Sequence, residues 1–190
     1  AKAIKFKEQG ASLRDKTLTS TDAVFTAASI PLVDVTVNAL NNNETFRKGL
    51  ESGFGIHRDA PIPQFSSNTM RKRVKALIRD IPAEPVGETT GKVALYATCY
   101  GNYSSAALGE DFLRVYQHNN IHIELVPKEK CCGMPKLELG DLESVNQLKE
   151  ANIPVLAKLV DQGYDLIAPI PSCVLMYKQE LPLLFPDDAD

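Results

Sequence analysis

The sequence predicts an α/β protein: a small parallel sheet with flanking helices in its second half, preceded by a helical extension. Three observations carry this. Residues 93–98 are a short apolar run, as expected of a strand covered on both faces, and residues 121–126 and 164–170 read as two further strands. The segments between them carry apolar residues at helical spacing, and a strand–helix–strand order implies parallel strands joined by right-handed crossovers. Residues 1–80 show no sustained β alternation, and residues 81–91, with Pro82, Pro85 and Gly87, have the composition of a linker. The expected organisation is a helical extension over 1–80, a linker over 81–91 and an α/β domain over 92–190.

Within the extension, Ser20 or Thr21 can cap a helix through Ala23, Val24, Ala27 and Ala28. Pro31 stands where the next helix could start, ahead of Leu32, Val35, Val37 and Leu40. Asn43-Glu44 can cap a third, which Gly53 and Gly55 would stop. Ala60-Pro61-Ile62-Pro63 must be extended, because each proline biases the residue before it away from the helix. Residues 68–79 read as a basic helix whose Arg71, Lys72, Arg73, Lys75 and Arg79 form a solvated face.

Beyond the linker, the first strand leads into a helix from about Ser105 to Gln117, and Asn119-Asn120 turn the chain into the second strand. Leu142, Val145, Leu148, Leu156, Leu159 and Val160 recur at helical spacing in a region that Pro154 should kink or divide. Gly163 ends it before the third strand. A last helix runs from Ser172 into Tyr177 and Glu180 and stops before Pro182.

Composition narrows the function. A net charge of −3 argues against nucleic acid as a partner, since phosphate binding needs a concentrated positive field. No run approaches the roughly 18–20 apolar residues of a membrane span, and no signal peptide is apparent. The chain starts at Ala1 and ends in the acidic tail 185–190, as a piece of a longer protein or a processed one would. Four cysteines without a signal peptide point to a reducing, cytoplasmic setting, where thiols act as metal ligands or redox groups. A disulfide framework is disfavoured, because adjacent Cys131-Cys132 are awkward for separate bridges.

The cysteines fall in a pattern. Cys99 follows the first strand, Cys131 and Cys132 lie in the loop leaving the second, and Cys173 follows the third. In a parallel sheet such loops share the carboxyl edge, where open α/β folds bind ligands. Free cysteine is also a common small core residue, but all four at strand exits points to one shared site. Thiolate-rich sites select zinc, copper(I) or iron–sulfur clusters. Zinc favours closely spaced pairs, and there is no Cys-x-x-Cys here, whereas adjacent cysteines can contact different irons of a cluster. Gly133 permits close backbone approach, and the helix after Cys173 would offer N–H groups to a thiolate.

These residues resemble the cysteine-rich CCG domain. It occurs in the B subunit of heterodisulfide reductase and in iron–sulfur subunits of anaerobic glycerol-3-phosphate dehydrogenase, glycolate oxidase and lactate-utilisation enzymes. The resemblance rests on Ala97-Thr98-Cys99 before Asn102-Tyr103, Cys131-Cys132-Gly133-Met134-Pro135, Gly140-Asp141, and Pro171-Ser172-Cys173 leading to Glu180-Leu181-Pro182. It covers residues 91–186; Gly55-Ile56-His57-Arg58 with Pro61-Ile62-Pro63 resembles the segment joining a ferredoxin-like domain to the first CCG domain.

The resemblance implies a Rossmann-like fold and an iron–sulfur centre, [4Fe–4S] in type. Cys99, Cys131, Cys132 and Cys173 would be its ligands, with Asn102, Gly133 and Met176 around them. It implies electron transfer between a flavin dehydrogenase partner and a quinone or thiol acceptor. A second CCG or ferredoxin-like domain would be a further partner, and contact with the cytoplasmic face of the membrane would come through a partner. Met176 departs from the pattern, standing where the last cysteine belongs. A thioether ligates weakly, so the chain alone is expected to be empty or to hold zinc, and Met176→Cys to raise its iron and sulfide. Structural zinc without a redox role and direct thiol redox chemistry are the alternatives.

Other residues invite a role and are read more plainly. His57, beside Arg58 and Asp59, is expected to be a hydrogen-bonded turn residue, and His118 and His122 to be surface or sheet residues. Asp22, Asp59 and Asp141 read as helix caps or turn formers. No phosphate loop, Ser-His-Asp set or carboxylate pair suggests a hydrolase or kinase.

Overall fold

The computed structural model describes residues 1–85 and 87–188. Val86 of the linker, and Ala189 and Asp190 of the acidic tail, lie outside the described residues. The protein is α/β. Its three strands, β1 (Lys92–Leu95), β2 (His122–Leu125) and β3 (Asp165–Ile167), form a parallel sheet in the order β2-β1-β3. Val93 pairs with Ile123 on one side and Asp165 on the other.

Because side chains alternate along β1, its two faces feed two cores. Val93, Leu95 and Ala97 pack with Ile123, Leu113, Met70 and Val74. Ala94 and Tyr96 pack with Val145, Leu156, Leu159, Met176 and three of the cysteines.

The helices of the first half are α1 (Lys2–Gln9), α2 (Leu13–Thr19), α3 (Thr21–Ala28), α4 (Val33–Asn41), α5 (Glu44–Phe54) and α6 (Met70–Leu77). Their starts are chemically marked. Ser12, Asn43 and Thr69 accept the N–H groups of Asp15, Phe46 and Lys72, and Gly55 closes α5 in the left-handed conformation. The second half adds α7 (Cys99–Ser104), α8 (Ala107–His118), α9 (Met134–Leu139), α10 (Leu142–Asp161) and α11 (Pro171–Leu175). A π-helical turn (Met176–Glu180) then runs into α12 (Leu181–Leu184). No single helix among the described residues is long and apolar enough to cross a membrane, and the apolar pair α3 and α4 is bent by 103°.

Several expectations are corrected. The helix of residues 142–161 is continuous through Pro154. The region is thus not divided, and buried residues on both sides of the proline anchor it: Asn152 in hydrogen bonds to the 130–131 loop, Leu156 and Leu159 in the core. The last helical stretch also passes Pro182, which sits in the first turn of α12 behind the π-helical turn. There a missing N–H costs little. Helices α1, α2, α7 and α9 have too few apolar positions to show a period. The first two rest on α9, with α1 close against Gly140: a Cβ there would lie 2.7 Å from the Lys2 carbonyl carbon.

The basic helix is solvated on one side only: Lys72, Lys75 and Arg79 are exposed, while its other side is packed. Met70 and Val74 of α6 are fully buried. Arg71 donates to Val126 O at 2.8 Å, Arg73 pairs with Glu110 at 3.0 Å, and Arg79 reaches Gln117 at 3.4 Å. Helix α6 therefore docks on α8 and the sheet.

The α6–α8 contact depends on Gly109, where a Cβ would lie 2.2 Å from Met70 Cγ and 3.0 Å from Val74 Cγ2. Gly109→Ala is expected to cost about 1–3 kcal/mol by overpacking. Gly49→Ala, on α5 with nothing within 4 Å, should instead gain about 0.5–1 kcal/mol from helix propensity. Urea midpoints of the two variants should move in opposite directions.

Candidate metal centre

The chain beyond β1 stays paired for one residue, with Tyr96 N donating to Ile167 O at 2.8 Å, and then breaks at Thr98. Thr98 has φ 63°, unusual for a β-branched residue, and its hydroxyl accepts Gly101 N–H at 3.0 Å to open α7. Backbone strain of this kind collects at functional sites, and it places Cys99 as the first residue of the helix.

The loop after β2 is held from three directions. Asn152 of α10 accepts Lys130 N–H at 2.8 Å and donates to Cys131 O at 3.0 Å. Tyr96 OH donates to Lys130 O. From the extension, Asp22 Oδ2 accepts Cys131 N–H at 2.8 Å, and the Thr21 hydroxyl lies 3.4 Å from Cys131 Sγ. Gly133, at φ 95°, then turns the chain into α9.

The four thiols meet at the carboxyl edge. Cys99 Sγ and Cys131 Sγ are 3.8 Å apart, Cys132 interacts with both Cys131 and Cys173, and Cys173 acts electrostatically on Cys99. None is in a disulfide; Cys131, Cys132 and Cys173 are buried and Cys99 is partly exposed. Cys173 lies inside α11 rather than ahead of it, and its N–H is used by Ile170 O at 3.0 Å. The expected helix-end donation at this cysteine is accordingly reduced.

The thiols do not share charge evenly. Cys131 is the one held low, first by the donating Cys132 thiol, then by Cys99, with Thr21 and the Gly133 N–H adding to the effect against burial. Its partners are pushed up in turn: Cys132 by Cys131 and Cys173 and by burial, Cys99 by Cys131 and by burial. Of these three, Cys131 is the thiol whose deprotonation the surroundings favour, and the thiolate is the form that ligates metal.

Beside it, Glu129 is buried and its carboxyl is pushed up to about 7 by desolvation, against the pull of Arg71 and the Ala97 N–H. Burial likewise raises the Asp22 carboxyl, more than the Cys131 N–H lowers it.

Of the surrounding residues, Asn102 is buried and its Oδ1 accepts Arg71 N–H at 3.1 Å, so it fixes the start of α6. Met176 is fully buried in the same packed cluster as Cys131, Cys132 and Cys173, and a Cβ on Gly133 would lie 3.5 Å from its methyl. It packs against the Cys-Cys-Gly turn rather than away from it. His57 is exposed, its Nδ1 accepting Asp59 N–H at 3.2 Å, and buried Arg47 gathers the His57, Arg58 and Ala60 carbonyls. His122 Nδ1 lies 2.8 Å from Ile81 O. Asp141 caps α10 as expected.

Asp22 is not a cap: α3 carries no side-chain cap hydrogen bond, and the Asp22 carboxylate is turned to the cysteine loop instead. Its carboxylate, Cys99 Sγ and Cys131 Sγ lie within 4.8 Å of one another. Asp22 stands 109 positions from Cys131, and its sequence context carries no ligand spacing. A cavity of about 230 Å³ opens beside Asp22 and Cys99, with Arg71, Lys128 and Lys130 on its walls.

This donor set fits a thiophilic centre: it is sulfur-rich, buried on one side and open on the other. The 3.8 Å thiol separation matches the ~3.8 Å edge of a tetrahedron with ~2.3 Å metal–sulfur bonds.

Comparison with known proteins agrees with this composition. Residues 93–178 match the family model of the cysteine-rich domain CCG. Over 90% of its length the chain is 26% identical to the C subunit of anaerobic glycerol-3-phosphate dehydrogenase of Escherichia coli strain K12, covering 42% of that protein. Over 52% it is 28% identical to the B subunit of fumarate reductase (CoM/CoB) of Methanothermobacter marburgensis, covering 20% of that protein. Over 51% it is 31% identical to lactate utilization protein A of Bacillus cytotoxicus, covering 38% of that protein. The chain thus spans less than half the length of these relatives. No solved structure matches.

Proposed function

We propose that the chain, whose residues 93–178 match the CCG cysteine-rich domain, is the iron–sulfur electron-transfer module of an oxidoreductase, with Cys99, Cys131, Cys132 and Cys173 as ligands. The convergence of four free thiols at one sheet edge is the observation that carries this reading. Two relatives are named as subunits of a dehydrogenase and a reductase. In keeping with them, the partner is a flavin dehydrogenase and the acceptor a quinone or thiol. A second CCG or ferredoxin-like domain completes the assembly, in the cytoplasm or at the cytoplasmic face of the membrane. Residues 1–80 act as the helical extension, 81–91 as the linker and 92–190 as the cysteine domain.

When bound, the cluster supplies a one-electron store of [4Fe–4S] type. The chain supplies its setting. Asn152, Tyr96 and Asp22 fix the backbone of the Cys131 loop, so the thiols are positioned before metal arrives. The Gly133 N–H and the Thr21 hydroxyl stabilise negative charge on Cys131 sulfur. The apolar packing of Val145, Leu156 and Met176 excludes water from the inner side, while Cys99 faces the cavity.

Anaerobic reconstitution of the full chain with iron(II) and sulfide tests the reading. Bound iron and acid-labile sulfide, with absorbance near ~400 nm, are what this reading requires, and they would overturn the expectation, drawn from Met176, that the unaltered chain is empty or holds zinc. Uptake of zinc alone would favour a structural site, and loss of all metal with freely reactive thiols would favour thiol redox chemistry.

A further inference from the structure

We propose that Asp22 is itself a ligand of this centre, so that the helical extension supplies an oxygen donor to the thiol site. The proposal rests on the metal-centre reading above. Its observation is separate: the Asp22 carboxylate shares one 4.8 Å neighbourhood with Cys99 and Cys131 sulfur. Three groups that close to one another need shift by only about half an ångström or less to surround a single ion at ~2.0–2.3 Å from each.

Two structural facts show that the placement is built. Helix α3 is held over α7 by a hydrogen bond of 2.9 Å between the Thr26 and Tyr103 hydroxyls and by Phe25 packed 6.3 Å from the Tyr100 ring. Asp22 lies in the first turn of that helix, and one of its oxygens is oriented by the Cys131 N–H at 2.8 Å. A carboxylate can accept several such interactions, so the amide bond leaves lone pairs for a cation.

Position gives the ligand its consequence. Asp22 and Cys99 both border the 230 Å³ cavity, whereas Cys132 and Cys173 lie in the packed interior. The mixed oxygen–sulfur corner is therefore the solvent-facing corner. A carboxylate is a harder and more exchangeable ligand for a thiophilic metal than a thiolate, so the metal held there is the first to be lost and the one open to a small exogenous ligand.

Asp22→Asn is the decisive variant, since the amide oxygen can still accept the Cys131 N–H but is a poor metal ligand; Asp22→Ala removes both functions. The full chain and both variants would be reconstituted anaerobically with iron(II) and sulfide. The readouts are iron per chain, the rate of iron loss to a chelator, and the Mössbauer signature of oxygen-ligated iron, alongside the urea midpoint of the metal-free chains. The expected result is at least a tenfold faster loss of iron from Asp22→Asn, disappearance of the oxygen-ligated iron signal, and an unchanged metal-free midpoint. Asp22→Asn with wild-type retention and spectrum would overturn the proposal and leave the thiol centre standing, and so would a defect confined to Asp22→Ala, which would assign Asp22 to loop anchoring. Failure of the unaltered chain to take up iron would overturn the metal-centre reading and this proposal with it.

Discussion

Cys131→Ser is expected to abolish retention of iron by the reconstituted chain while leaving the metal-free fold intact. Cys131 is the junction of the site: its sulfur meets Cys99 at 3.8 Å and the Thr21 hydroxyl at 3.4 Å, and it interacts with Cys132. Its surroundings, the Cys132 and Cys99 thiols first, also favour its deprotonation. Metal binding of about 10–16 kcal/mol at a four-ligand thiolate or imidazole site corresponds to roughly 2.5–4 kcal/mol per ligand, or on the order of 100-fold or more in affinity when one is lost. Serine has nearly the shape of cysteine, and the loop remains held by Asn152, Tyr96 and Asp22, so the metal-free urea midpoint should move little. Chelator competition measures the first effect and chemical denaturation the second. Wild-type affinity in Cys131→Ser would sink the shared-site idea.

Arg71→Met is expected to produce the largest loss of stability among single changes outside the site. The Arg71 guanidinium joins α6 to the sheet through Val126 O at 2.8 Å and neutralises Glu129 at 3.2 Å. Glu129 is nearly fully buried and holds Ala97 N–H at 2.9 Å, just ahead of the strained Thr98. Removing the arginine leaves a buried carboxyl without its counter-charge, a change that costs as much as about 3–5 kcal/mol. The rise of the Glu129 carboxyl to about 7 lets it neutralise by taking a proton, which pulls the loss towards the lower end. Arg71→Met with Glu129→Gln should recover most of the stability, because glutamine still accepts the Ala97 N–H and carries no charge. Urea unfolding of metal-free chains reads both variants. An Arg71→Met chain as stable as the wild type would show that the pair has no structural weight.

Much of the architecture was legible in the sequence. The three segments read as strands became the three strands, and their parallel order followed from the helical segments between them. The carboxyl-edge position of Cys99, Cys131, Cys132 and Cys173 followed from the same order, because a parallel sheet exits every strand on one side. Local chemistry also sufficed where it acts over a few residues, as at the Asn43 and Asp141 caps and the left-handed Gly55. Tertiary structure decided what depends on contacts distant in the chain. Pro154 reads as a break, yet burial on either side of it carries α10 through. The arginines of α6 read as solvated, yet Glu129 and Glu110 lie 58 and 37 positions away and meet them only in the fold. Asp22 reads as a cap because its local sequence is that of a helix start. Its place beside Cys99 and Cys131 arises from the docking of α3 on α7, and docking of this kind leaves no periodicity or spacing in the residues around it.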